Sequence, residues 1–338
     1  MVYEEVNSGS RREFRAVRIH GGDGSTRLSV DELTDDDLPS GDVEVDVLYS
    51  DLNFKDGKVM EAGSSLPQCF PIVPGIDFVG TVTRSSSPLF AVGDGVVANG
   101  FGLGTDRDGG LTQRTRVPGT FLLALPSRLD HRRAAAIGTA GYTAGLAVEA
   151  ILGAGVRPSN GPVLVTGAGG GVGTLAIAVL AQAGFDVVAS TGRADQLRDS
   201  LLRLGACEII DRLPAEAGDG LATPSWSAVV DSVGSTTLAS ALAATRYGGV
   251  VAAVGLAQGI DLPATVLPFI LRGVSLVGID SVYASEHRRR QAWDRLANVD
   301  HELLDSITSV VGLEDAARVS QDVVAGRVHG RVVVDVHK

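Results

Sequence analysis

Gly167, Gly169, Gly170, Gly171 and Gly173 follow directly on the apolar run Val163-Leu164-Val165-Thr166, and an apolar helical stretch comes next. A turn without side chains lets a phosphate approach the first N–H groups of a helix, whose dipole favours the negative charge. The register that fits is Ala168-x-Gly170-x-x-Gly173, with alanine where a dinucleotide fingerprint usually has its first glycine. A start at Gly167 would put Val172 at the third glycine position. Gly169, Gly170, Gly171, Val172 and Gly173 are therefore expected to seat a pyrophosphate. After the next strand, where an NAD site wants an acidic residue, the chain has Ser190-Thr191-Gly192-Arg193. Hydroxyls and a guanidinium there suit a 2′-phosphate, and two charge-assisted bonds would favour NADP over NAD by roughly 10²- to 10⁴-fold. The competing reading is that Arg193 only opens a solvated helix.

The elements that must hold this turn are legible around it. Residues 175–183 read as an apolar helix stopped by Gly184, residues 185–189 as a buried strand, and residues 195–204 as an amphipathic helix stopped by Gly205. A second half follows, with strands over 226–230, 250–254 and 274–279 and a helix over 237–246 ended by Gly248-Gly249. Two such halves make a doubly wound parallel sheet with its crevice at the carboxyl ends of the strands. Upstream, short β-like runs over 43–47, 78–83, 96–98 and 122–124 are separated by glycine and proline turns, as in a mostly β lobe. An alanine-rich helix over 129–152 joins the two. Residues 1–13 read as a loose extension, and the last stretch, with a helix over 289–297 and a strand over 331–336, is expected to return to the β lobe.

A chain of 338 residues suits two domains, and its 43 glycines, well above the usual share of about 7%, gather at turns as in an α/β enzyme. The net charge of −11, without long single-sign runs, argues against nucleic-acid and anionic-membrane partners. His287-Arg288-Arg289-Arg290 is the exception, read either as a solvated helix face or as a landing point for substrate phosphates. No apolar run of about 18 residues and no signal-peptide pattern is apparent, so a soluble, cytoplasmic protein is expected. Cys69 and Cys207 are far apart and the six histidines form no i, i+4 pair, so no metal site is expected.

Five motifs together resemble the medium-chain dehydrogenase/reductase superfamily, in its zinc-free quinone oxidoreductase branch, which includes acryloyl-CoA reductases. They are Ser50-Asp51-Leu52-Asn53-Phe54-Lys55-Asp56-Gly57, Pro74-Gly75-Ile76-Asp77-Phe78-Val79-Gly80, Gly138-Thr139-Ala140-Gly141-Tyr142-Thr143-Ala144, Thr191-Gly192-Arg193 and Pro268-Phe269-Ile270-Leu271-Arg272-Gly273. The likeness spans about residues 14–335. It implies a GroES-like, mostly β catalytic domain (14–130 and 284–338) and a Rossmann NADPH-binding domain (131–283). Zinc-dependent relatives carry Gly-His-Glu where this chain has Gly75-Ile76-Asp77. The resemblance further implies flavin-free hydride transfer from NADPH to a conjugated acceptor, nicotinamide-side contacts at Leu256, Ile270 and Ser281, and a homodimer through the edge strand 274–279. Tyr is frequent in the family where this chain has Phe54, so no phenol hydroxyl is available there.

Hydride addition to an enoyl thioester leaves an enolate-like oxygen that needs donors and an α-carbon that needs a proton. Asn53 is the candidate holder of the carbonyl or the ribose, or else a turn asparagine. Asp56 and Asp77 are the candidate acids, or else acceptors for loop N–H groups. Tyr142 is a third donor, or a ring stacked near the nicotinamide. Three readings stand: a short-chain enoyl-CoA reductase, a quinone reductase, and a protein that binds NADPH without turnover.

Overall fold

The structure is a computed structural model that describes residues 12–22, 25–214 and 220–338. The expected loose extension lies, for residues 1–11, outside the described residues.

Proline and glycine turns cut the first third into short strands: β1 (Glu13–Gly22), β2 (Ser25–Thr34), β3 (Val43–Asp51), β4 (Asp77–Ser85), β5 (Gly95–Asn99), β6 (Arg114–Val117) and β7 (Leu122–Ala124). A short helix α1 (Phe54–Val59) follows β3, and the long α2 (His131–Gly153) leads out of the lobe. Next come β8 (Val163–Thr166), α3 (Gly171–Gln182), β9 (Val187–Ser190), α4 (Ala194–Arg203) and β10 (Ala206–Ile210). The second half is β11 (Trp226–Asp231), α5 (Ser235–Ala243), β12 (Thr245–Ala253), α6 (Leu267–Arg272) and β13 (Ser275–Gly278). The chain closes with α7 (Glu286–Leu296), α8 (His301–Ser306), β14 (Thr308–Gly312), α9 (Ala316–Val324) and β15 (Arg331–Asp335).

Six parallel strands form one sheet in the order β10-β9-β8-β11-β12-β13. Strand order reverses between β8 and β11, which places the ligand crevice at their carboxyl ends. Val163, Leu164 and Val165 are wholly buried because helices cover both faces. The other large sheet runs β14-β15-β3-β4-β5-β7, with β6 also on β3, so the two last strands complete the first lobe. The chain is thus a GroES-like, mostly β lobe joined to a Rossmann sheet.

Several expectations shift. The helix expected over 237–246 ends at Ala243, and Thr245 already starts β12, its side chain wholly buried and its hydroxyl bonded to Ala241 O at 2.7 Å. Gly248-Gly249 sits within that strand rather than ending a helix. A Cβ on Gly249 would lie 2.9 Å from Ser227 O, so the bulge there needs glycine. Strands β10 and β14 and helices α8 and α9 were not expected. Ala292, Trp293 and Leu296 of α7 share a core with α2 and α3, while Arg289 and Trp293 bond Asn99 at the end of β5, so α7 touches both lobes; β14 and β15 join the first lobe's sheet. Arg289, one of the four basic residues of that stretch, is buried at 3% exposure and donates to Ala284 O, Asn99 O and Val282 O, so it is neither solvated nor open to substrate. By length and composition α2 could cross a membrane, but 83% of its most apolar window is buried inside the fold.

Candidate active site and cofactor cradle

The glycine turn has the geometry its sequence calls for. Gly167 takes the left-handed φ of +60° that the tight turn needs, one residue before the fingerprint begins. Gly170 caps α3, and a Cβ on Gly173 would lie 2.4 Å from Gly167 O, so only glycine lets the helix approach the strand. The first N–H groups of α3 have no partners within the helix. Asp231, buried at the end of β11, bonds Thr166 Oγ1 at 2.6 Å and Gly234 N at 2.8 Å, which fixes the two strand ends around the crevice.

Past β9, Ser190 Oγ donates to Asp211 O, and Thr191 Oγ1 accepts from Arg193 N. Arg193 Nη2 donates to Val328 O at 2.9 Å, and its guanidinium lies against the turn. A second cation, Arg212, lies over Gly192, where a Cβ would meet its Nε at 2.3 Å. Sequence reading missed Arg212 because it missed β10, which ends two residues before it; the signal was the apolar pair Ile209-Ile210. Leu256 follows the carboxyl end of β12 and Ser281 that of β13, on the same side of the sheet as the turn. Ile270 does not join them: it is on α6, which feeds the amino end of β13, and is 67% exposed.

Three carboxylates and one guanidinium are buried where the lobes meet. Asp51 ends β3 and accepts from Arg331 Nη2 and from Asn53 Nδ2. Asn53 Nδ2 also donates to Asp77 Oδ2 at 3.2 Å, and the same oxygen accepts from Thr139 N at 2.7 Å. Asp56 closes a capping box on α1, its two oxygens accepting from Asn53 N at 2.8 Å and Ile76 N at 2.9 Å. α2 breaks its helical geometry at Gly138 (φ 49°, ψ −157°), where a Cβ would lie 1.6 Å from Asp51 Oδ2. Arg331 Nε donates to Ala136 O at 2.7 Å, and its Nη1 reaches the first residue of α3, lying 2.5 Å from where a Gly171 Cβ would be.

Burial raises all three carboxyls. Asp56 is pushed up to about 7, by burial first and by the Asp77 charge next. Asp51 rises well above its ordinary range despite Arg331, and Asp77 rises despite its bonds from Thr139. Asp56 thus keeps its proton toward the neutral range. Asn53, Asp56 and Asp77 are therefore brought together, and both N–H groups of the Asn53 amide are spent on carboxylates, leaving no donor for a substrate carbonyl. Tyr142 stands apart, wholly buried on α2, its hydroxyl without a partner and pushed up to about 12 by burial. Its ring lies 5.2 Å from the Arg289 guanidinium, which also covers Phe101 at 4.1 Å.

Beside Asp77 stands Ile76, which offers no ligand atom in its side chain. Among the described residues no group of three or more His, Cys, Asp and Glu side chains is placed to hold a metal.

The alcohol dehydrogenase GroES-like domain family matches residues 39–127, and the zinc-binding dehydrogenase family matches residues 171–298. Acrylyl-CoA reductase AcuI of Ruegeria pomeroyi is 45% identical over 317 residues, covering 93% of this chain and 96% of that protein. The putative quinone oxidoreductase YhfP of Bacillus subtilis is 42% identical over 325 residues, covering 95% of this chain and 98% of that protein. The crystal structure of Escherichia coli K-12 YhdH with bound NADPH superposes with a TM-score of 0.91 at 43% identity, over 95% of this chain and 99% of that one. The chain belongs to the medium-chain dehydrogenase/reductase superfamily, in its zinc-free quinone oxidoreductase and acryloyl-CoA reductase branch.

Proposed function

We propose that this protein reduces short α,β-unsaturated acyl-CoA thioesters, of the acryloyl-CoA to propanoyl-CoA type, with NADPH as reductant and without zinc or flavin. The observation that carries the reading is the near-full-length likeness to an acrylyl-CoA reductase. Arg193 after β9, where an NAD site would have an acid, together with Arg212 after β10 lying over Gly192, supports NADPH as the reductant.

The cradle fits that cofactor. Gly169, Gly170, Gly171, Val172 and Gly173, with the open end of α3, would hold the pyrophosphate, and Arg331 Nη1 reaches the same place. Ser190, Thr191, Gly192, Arg193 and Arg212 would surround the 2′-phosphate, while Leu256 and Ser281 flank the nicotinamide half. Bound there, NADPH supplies the hydride for the β-carbon of the acceptor. The protein's part is placement in a cleft that excludes water. Asn53, Asp56 and Asp77 act as positioning residues that fix the start of α1 and the break in α2. Tyr142 keeps its proton throughout the neutral range, and its hydroxyl is the one donor among the four candidates that no protein group occupies.

NADPH oxidation on adding acryloyl-CoA, followed at 340 nm, is the expected result. No turnover across a panel of short enoyl-CoAs would overturn the reading. A quinone acceptor is the second reading, favoured by the likeness to a putative quinone oxidoreductase, and a higher kcat/KM for quinones would select it. Saturable NADPH binding without oxidation by either acceptor would leave a sensor protein.

We also propose a homodimer. β13 is an unpaired sheet edge, and Ile260, Val266, Ile270 and Leu271 stand exposed on the segment leading into it. A two-fold axis at that edge pairs the strand with its copy antiparallel, giving one continuous sheet. Light scattering is expected to give twice the chain mass; a monomer at micromolar concentration would refute it. The acidic net charge of −11 gives no support to nucleic-acid or anionic-membrane partners.

A further inference from the structure

Between α9 and β15 the chain runs along the back of the glycine turn. Gly330 N donates to Gly169 O at 3.2 Å, and His329 Nδ1 lies 3.1 Å from the same oxygen. His329 Nε2 lies 2.8 Å from Ser200 Oγ on α4. Just upstream, Val328 O and Arg327 O accept from Arg193 Nη2 and Nη1 at 2.9 and 3.5 Å. The guanidinium is packed so closely on the turn that a Cβ on Gly169 would lie 3.3 Å from Nη2. Arg193 is thus aimed by backbone carbonyls of the first lobe's last segment, not by its own helix.

The imidazole makes this segment stay. Gly169 O can only accept, so Nδ1 carries the proton and Nε2 accepts from the Ser200 hydroxyl. Burial, together with the nearby Arg193 charge, lowers the ring's pKa and favours that neutral form. Two carbonyls use two of the five guanidinium N–H groups and leave three for a ligand. An arginine held in advance loses less freedom when a phosphate arrives.

We infer that His329 is a positioning residue for phosphate selection: by pinning residues 327–330 to the turn and to α4, it holds Arg193 where a 2′-phosphate arrives. This rests on the NADPH reading above. His329 itself has both ring nitrogens occupied by protein groups, so its effect on the ligand runs through Arg193. Pyrophosphate and nicotinamide are common to NADPH and NADH, so a merely loosened turn weakens both alike. A misaimed Arg193 weakens NADPH alone.

The test is a titration of wild type, His329→Ala and His329→Gln with NADPH and with NADH, read by coenzyme fluorescence as Kd. His329→Ala is expected to lower the NADPH-to-NADH preference about tenfold, the worth of one bond to a charged group. His329→Gln, whose amide can donate to Gly169 O and accept from Ser200, should restore the ratio. Equal losses for both coenzymes in His329→Ala would overturn the inference. Should that variant not fold, Ser200→Ala replaces it: a reduced ratio supports the role and an unchanged one rejects it. A wild type without preference for NADPH would instead sink the cofactor reading, which the same titration reveals separately.

Discussion

Arg331→Met is expected to lower the stability of the fold by about 3–5 kcal/mol, the usual loss when one member of a buried ion pair is removed. The guanidinium is 2% exposed and is bonded to Asp51, which is wholly buried. Methionine fills much of its volume but leaves Asp51 and Asp77 without the cation that holds their pKa values down. Both values are already raised, and the variant raises them further. A carboxyl raised in the folded state stabilises the fold below its unfolded pKa and loses that contribution as pH climbs through the folded value. The drop in Tm should therefore be larger at pH 8 than at pH 5. Asp51→Asn combined with Arg331→Met should recover part of the loss, because no orphaned charge remains at position 51. Equal Tm losses at both pH values would refute the electrostatic account.

Arg193→Ala is expected to weaken NADPH binding about 10- to 150-fold, from one charge-assisted bond of about 1.5–3 kcal/mol. NADH binding should change by less than about threefold, since nothing in NADH occupies the 2′ position. Arg212 lies over Gly192 on the same side, so Arg193→Ala with Arg212→Ala should approach the full 10²- to 10⁴-fold estimated for two such bonds. Calorimetric titration with both coenzymes gives the comparison. Equal losses for NADPH and NADH would show that the two arginines serve the turn and not a phosphate.

Local signals carried the cradle. The glycines of the turn, the absence of an acid after β9 and the stops at Gly184 and Gly205 all lie within one βαβ unit, where period and turn chemistry speak directly. Candidate acids also came out of their motifs, since Asp56 and Asp77 are neighbours of Asn53 in space as well as in pattern. The partners of these groups did not. Arg331 meets Asp51 across 280 positions, and His329 meets Gly169 across 160, with no periodicity linking them. The inward turn of Arg289 was equally hidden, because three arginines in a row look alike until one finds three carbonyls to satisfy. The start of β12 was misread for a different reason: Gly248 and Gly249 resemble a helix stop, and only the bulge beside Ser227 shows that they belong to a strand.

β15 lies between β14 and β3, in the interior of the first lobe's sheet. A ribosome making this chain from its amino end therefore releases β3 long before its neighbour exists. The first lobe must wait, with that flank of the sheet open, until residues 331–335 clear the exit tunnel, whereas the six parallel strands are complete well before then. Nascent chains stalled before residue 331 should thus carry a protease-resistant nucleotide unit joined to a protease-sensitive leading segment.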